Sequence, residues 1–205
     1  MKKLICGIAG VLALGIAGTA AAVPVTFELD AQTSSVSLTS FQGDFLCHAT
    51  NCQPTFSLNP QLESLSRTLT AGQTWAFDLF SIDFHGVGGG SGSLSASLGF
   101  DAPSTAKVAT GSGVGGFFNF IVTSGNLQWT SQPGSFNLSD GTRYSVLFEN
   151  LSGITFGKTD VRAFLTLNTE PGAVGVPEPG TLTLFGLGLL GIGLANRRRA
   201  ARKTG

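Results

Sequence analysis

Apolar and small polar residues alternate over most of residues 23–170. Leu, Phe and Val are interleaved with Ser and Thr, and Gly, Asn, Asp and Pro punctuate the runs. This period-2 pattern predicts β-strands that are buried on one face. The run Ser93-Leu94-Ser95-Ala96-Ser97-Leu98-Gly99-Phe100 places Leu94, Ala96, Leu98 and Phe100 on one side and small Ser side chains on the other. Residues 75–84 are longer and more apolar. Both faces are expected to be partly buried there, with Phe80, Ile82 and Phe84 sharing one of them. Phe136 and Leu138 lead into Asp140-Gly141, and Tyr144, Val146 and Phe148 lead away, which predicts a hairpin with a type I′ turn. A second pair is expected to turn at Ser124-Gly125-Asn126 and to join 118–122 to 127–130. Residues 161–167 read as the last strand. No ten-residue run of helical period occurs in 23–170, and no repeat suggests a solenoid. About ten short strands imply an all-β fold, an antiparallel β-sandwich or jelly roll.

The two ends follow other rules. Met1-Lys2-Lys3 precedes an apolar run over 4–17, and Thr19-Ala20-Ala21-Ala22 follows. Ala20 and Ala22 stand at the −3 and −1 positions of a cleavage site, so residues 1–22 read as a signal peptide cut between Ala22 and Val23. The apolar run falls short of the ~20 residues a membrane span needs. Cys6 precedes most of that run, whereas a lipobox cysteine follows it. At the other end, Val176-Pro177-Glu178-Pro179-Gly180 leads into an uncharged stretch over 181–195, followed by Arg197, Arg198, Arg199, Arg202 and Lys203. Residues 180–196 would span about 25 Å as a helix, enough for a bilayer with slight local thinning. The basic cluster reads as a stop-transfer signal on the cytoplasmic side. Pro177 and Pro179 lack an N–H and favour extended backbone, which a protease cleft can grip. The expected organisation is a signal peptide at 1–22, a secreted domain at 23–170, a linker at 171–176 and a sorting and anchor segment at 177–203.

Charge sharpens this division. The 205-residue chain is 12% charged with a formal net charge of +0, against roughly 25% charged in a typical domain. Residues 23–170 alone carry five basic and eleven acidic side chains, a net of −6. That excess argues against nucleic acid or anionic lipid as partner. The 29 glycines show no three-residue period, which excludes collagen. Sixteen Phe with so few charges exclude a disordered chain.

The tripeptide Pro177-Glu178-Pro179, the short Gly/Leu-rich span and the terminal Arg cluster, in that order, resemble the PEP-CTERM sorting domain. Proteins with this tail occur in Gram-negative bacteria that make exopolysaccharide. The resemblance implies recognition of Pro177, Glu178 and Pro179 by a membrane-embedded exosortase, with loss of the helix. Partners implied for the whole chain are the secretion translocon, signal peptidase, exosortase, the membrane through the C-terminal helix, and exopolysaccharide. The precursor would sit in the inner membrane with a periplasmic domain, and the product at the cell surface or in the matrix.

Candidate chemistry within 23–170 is sparse. Cys47 and Cys52, spaced C-x4-C, are expected to form a disulfide pinning a polar surface loop, at ~2 kcal/mol by loop closure. Cys47, His48 and Cys52 make a poor metal set, since adjacent residues rarely ligate together and no fourth ligand is apparent. Asp83 and His85 share a strand face, but no Gly-x-Ser-x-Gly elbow accompanies them. Gly111-Ser112-Gly113-Val114-Gly115-Gly116 fits a dinucleotide fingerprint, yet a strand pattern follows where that motif needs a helix. Gly86 to Gly92 reads as a flexible surface loop. The acids are scattered singly. Trp75, Trp129 and Tyr144 are the aromatics with which a sugar-binding surface would stack. No catalytic set, metal or cofactor is expected. The preferred reading is a non-enzymatic surface or matrix protein; a carbohydrate-binding or adhesion module and a small hydrolase are the alternatives.

Overall fold

A computed structural model describes residues 23–119, 123–154, 157–171 and 186–188. The signal peptide, Ala22 of its cleavage site, Pro177-Glu178-Pro179 and the basic cluster at 197–203 lie outside the described residues. Of the expected membrane segment only 186–188 is described, and it is helical. Among the described residues no helix is long and apolar enough to cross a membrane.

The unit Ala22–Val174 is built from eleven strands in its described residues. They are β1 (Val25–Gly43), β2 (Thr55–Leu58), β3 (Ser66–Leu69), β4 (Thr74–Phe84), β5 (Gly88–Ala102), β6 (Ala109–Asn119), β7 (Thr123–Ser131), β8 (Gly134–Asn137), β9 (Arg143–Phe148), β10 (Leu151–Ser152) and β11 (Gly157–Thr169). The helical elements are α1 (Phe45–Thr50) and a 3-10 turn at Leu62–Ser64. One sheet has the order β10-β7-β6-β5-β1-β3 and the other β2-β4-β11-β9-β8, and every pairing is antiparallel. The chain is therefore an all-β sandwich. β5, β6 and β7 form a meander within one sheet, so the sandwich alternative holds over the jelly roll.

Aromatic rings join the two sheets. Phe27 of β1 meets Tyr144 of β9 edge-on at 5.4 Å. Trp129 of β7 meets Phe148 of β9 at 4.8 Å, and Phe117 of β6 meets Phe84 of β4 at 4.9 Å. Such pairs add packing beyond simple area burial.

Several local expectations need correction. In β4, Trp75, Phe77 and Leu79 are buried, and so are Phe80, Ile82 and Phe84. The cause of the double apolar set is a bulge; of the outward positions only Ser81 is buried. Against β11, Val161 faces Phe80 and Arg162 faces Asp78, which leaves Leu79 without an opposite residue and flips the parity. The β8–β9 hairpin forms, but its turn is not type I′. Leu138 N–H donates to Thr142 O at 2.8 Å, Gly141 N–H donates to Leu138 O at 3.2 Å, and only Gly141 has positive φ, +89°. This is the three-residue loop whose last residue is left-handed, and Asp140 stays in ordinary backbone. In the β6–β7 ladder Asn119 faces Thr123 and Phe118 faces Ser124, so Ser124-Gly125-Asn126 is strand and not the turn; residues 120–122 of the expected strand lie outside the described residues. Gly125 is a strand residue opposite Phe117, where a Cβ would come within 3.1 Å of Ile154.

Of the stretch 86–92 read as a glycine loop, Gly88 to Gly92 are the start of β5, and only Gly86 and Val87 lie outside a strand. Gly90 pairs with Gly43 on one side and Phe117 on the other. A Cβ on Gly90 would lie 2.5 Å from the Phe41 ring. These glycines are there because neighbouring side chains fill the space, and that leaves no alternation to read.

Candidate functional site

The Cys47–Cys52 disulfide forms. It pins a short surface helix where a surface loop was expected, and both sulfur-bearing side chains are buried. Asp44 caps α1, with Oδ1 accepting from Cys47 N–H at 2.8 Å. Its Oδ2 accepts from Gly89 N–H at 2.8 Å, which stitches the helix to β5. Asn51 ends the helix in the left-handed region at φ 52°. Thr50 Oγ1 donates to Val87 O at 2.5 Å and completes the seam. With both sulfurs bonded to each other, neither is a thiolate for a metal.

The three aromatics expected to offer a sugar platform are core residues. Trp75, Trp129 and Tyr144 are 6%, 8% and 0% exposed. Trp129 Nε1–H donates to Glu149 O at 2.9 Å. Tyr144 Oη accepts from Lys107 N–H at 2.9 Å, and burial raises its pKa above the ordinary phenol value. The polar tips of Trp129 and Tyr144 are satisfied internally, so the sequence signal of an amphipathic ring was spent inside the fold. Among the described residues no hydrogen bond joins Asp83 to His85; Asp83 is exposed and faces Thr55 and Lys158 in the ladders.

Carboxylates do converge at one place that the sequence does not announce. Oxygens of Asp30, Glu63 and Asp101 lie within 4.8 Å of one another. They come from β1, the 3-10 turn and β5, and the β1–β5 ladder brings two of them together. Thr33 Oγ1 donates to Asp30 Oδ2 at 2.5 Å, and this bond leads in holding Asp30 below the ordinary carboxyl range. Glu63 Oε2 accepts from Ala31 N–H at 2.8 Å. Desolvation, then repulsion from Asp30, Glu63 and Glu28, raises Asp101. Asp30 and Glu63 thus tie down the β1 bulge, while Asp101 carries the repulsion.

The outer face of the larger sheet has a distinct chemistry. The register lines up Gln42, Ser91, Gly116 and Asn126 in one row, and Ser40, Ser93, Val114 and Gln128 in the next. These rows line a trough of about 490 Å³. Gly116 lowers its floor; a Cβ there would come no nearer than 3.5 Å to any neighbour. Residues 31–43 of β1, 88–100 of β5, 109–119 of β6 and 123–131 of β7 contain no charged side chain. Hydroxyl and amide groups therefore dominate a neutral surface on an acidic domain.

A third feature joins the ends of the unit. Glu170 Oε2 accepts from Val23 N–H and Oε1 from Ala71 N–H, each at 2.9 Å.

The fold and tail together define a β-sandwich followed by a C-terminal sorting segment. Residues 175–199 match the PEP-CTERM protein-sorting motif. The chain carries this motif, and with it a signal for exosortase-dependent sorting to the cell surface. The match takes in Pro177, Glu178, Pro179 and Arg197–Arg199 but not Arg202 or Lys203. No curated protein and no solved structure matches the chain.

Proposed function

We propose that this is a non-enzymatic protein of the cell surface or extracellular matrix. A signal peptide at 1–22 takes it through the translocon, and signal peptidase cuts after Ala22. The span at 181–195 and the basic cluster at 197–203 hold the precursor in the inner membrane. Exosortase acts at Pro177-Glu178-Pro179, and the β domain is delivered outside in association with exopolysaccharide. The observation that carries this reading is the sorting motif at 175–199, directly behind a domain that ends near residue 170. The disulfide fits an oxidising destination. The test is the intact mass and location of the mature protein in its own host. A start at Val23, an end near Pro177 and a location outside the inner membrane are expected. Retention of Arg197–Arg199 in an inner-membrane protein would overturn the sorting scheme.

One observation favours a second reading, a carbohydrate-binding module. The trough of the larger sheet offers neutral donors and acceptors from Gln42, Asn126 and Gln128, and its size falls in the ~300–1,000 Å³ range of ligand clefts. An uncharged polyol is the ligand such groups suit. Calorimetric titration of host polysaccharide into the mature protein should give heat that Gly116→Val abolishes, since the valine fills the floor without touching the core. Equal heats from both proteins, or none from either, would remove this reading.

A further inference from the structure

The first and last residues of the β domain meet at one carboxylate. β11 ends at Thr169, and the turn between β3 and β4 grips that end: Gly72 N–H donates to Leu167 O at 2.7 Å, and Leu167 N–H to Gln73 O at 3.1 Å. Glu170 follows at once, and its Oε1 takes Ala71 N–H from the same turn at 2.9 Å. Backbone thus fixes the position of the carboxylate. The second oxygen faces Val23 N at 2.9 Å, across 147 positions of sequence. Pro24 biases Val23 toward extended backbone, and β1 begins at Val25, so the nitrogen is aimed by the chain that follows it.

That nitrogen changes character if the chain is cut after Ala22. Hydrolysis of the Ala22–Val23 amide consumes one water; Ala22 leaves as a carboxylate and Val23 keeps an ammonium. An α-amino group ordinarily titrates at ~7.7–8.0, so it is mostly charged at neutral pH and lower. We infer that Glu170 is the receptor for the mature N-terminus, and that signal cleavage converts a hydrogen bond from a neutral amide to the carboxylate into an ion pair clamping the root of the segment that leads to the sorting motif. The inference rests on cleavage at Ala22–Val23 and adds a consequence for the C-terminal side. N-terminal processing strengthens the tie that fixes where the tail leaves the domain.

The experiment uses full-length chain secreted with its own signal and purified after processing. Intact mass gives the first residue. Trace acetylation at a series of pH values, read by mass spectrometry of the N-terminal peptide, then gives the midpoint of the α-amine. The charged groups registered near this corner are Arg67, opposite Phe27, Arg143, opposite Thr169, and Glu28, opposite Ser66. The two cations would lower the midpoint and Glu28 would raise it, so the comparison with Glu170→Gln isolates the clamp. The wild type should titrate roughly 0.5 unit or more above the variant. Glutamine keeps an oxygen for Ala71, so the fold should hold. Should the variant fail to fold, high salt replaces it: screening should bring the wild-type midpoint down by a similar amount. A chain starting at Val23 with an unshifted amine would overturn the clamp and leave the cleavage reading intact. A chain starting elsewhere would overturn both, and the mass alone would show it.

Discussion

The two sheets share one core and turn opposite chemistries outward. On the smaller sheet, β4, β9 and β11 expose Asp78, Asp83, Arg143, Lys158, Asp160 and Arg162. On the larger one, the outward positions of β5, β6 and β7 facing the trough are Ser, Gly, Val, Asn and Gln. Solubility of an acidic domain comes from charge, and here the smaller sheet, the loops and the β1–β3 end of the larger sheet, with Glu28, Asp30, Arg67 and Asp101, carry it. The trough half of the larger sheet is left free to be neutral. Inside the sandwich the asymmetry takes another form. The smaller sheet contributes large side chains from nearly every inward position, while the larger alternates them with glycines that let neighbours approach.

The strongest test of a shared core is Phe27→Ala. Phe27 is fully buried on the larger sheet and packs on Tyr144 of the smaller, at 5.4 Å, and on Phe100 at 6.1 Å. Truncation removes contacts to both sheets and leaves a cavity, which should cost about 3–5 kcal/mol. Chemical denaturation of the mature protein measures it. A loss under about 1 kcal/mol would mean that the sheets do not depend on one another for packing.

Glycines of the larger sheet separate into two kinds, and a smaller effect tells them apart. A Cβ on Gly111 would lie 2.9 Å from the Phe148 ring and 3.0 Å from Ser131 O. Gly111→Ala should therefore destabilise by about 1–3 kcal/mol through overpacking. Gly116 has room on the outer face, so Gly116→Ala should lie within about 0.5 kcal/mol of neutral or gain slightly from a stiffer unfolded chain. Equal losses at both positions would show that glycine is required along β6 for its backbone and not for its neighbours.

The same division decided what the sequence revealed. Residues 93–100 were legible because inward Leu94, Ala96 and Leu98 alternate with outward Ser. The first strand residues of β5 were not, because glycine carries no pattern and its partners, Phe41 and α1, lie far off in sequence. β4 was read correctly as a strand, but a bulge at Leu79 interrupts the period and cannot be seen without β11. The sorting motif at 175–199 was readable, since its signals are contiguous and depend on no tertiary contact. The neutral trough and the Asp30, Glu63 and Asp101 cluster needed the ladder register. Trp129 and Tyr144 misled because an amphipathic ring suits a surface or a core whose backbone satisfies its polar tip.

The smallest expected effect tests whether the charges of the smaller sheet stabilise it or only solvate it. Arg162 grips Glu149 with two bonds, Nη2–Oε1 at 2.6 Å and Nε–Oε2 at 3.0 Å, and its guanidinium lies 5.6 Å over the Phe164 ring. The hydrogen bond from Arg162 is the main cause holding Glu149 below the ordinary carboxylate range, with burial opposing it. A carboxylate with a depressed folded pKa adds stability that is fully present above its unfolded value, ~4.3. That stability is lost as pH falls through the lower folded value. Glu149→Gln should therefore cost under about 1 kcal/mol at pH 7, because the guanidinium is half exposed and water screens the pair. As pH falls below the unfolded value the wild type should progressively lose the same increment, so the gap between the two proteins should shrink and close once the folded carboxyl is protonated. Denaturation of both proteins at pH 7 and pH 3 decides it. A gap that persists unchanged at pH 3 would assign the loss to the shape of the side chain. Gln128→Ala in the trough of the opposite sheet, whose lining carries no titratable group, should show one and the same difference from wild type at both pH values. A pH-dependent gap there would mean that the neutral face is coupled to charges it does not carry.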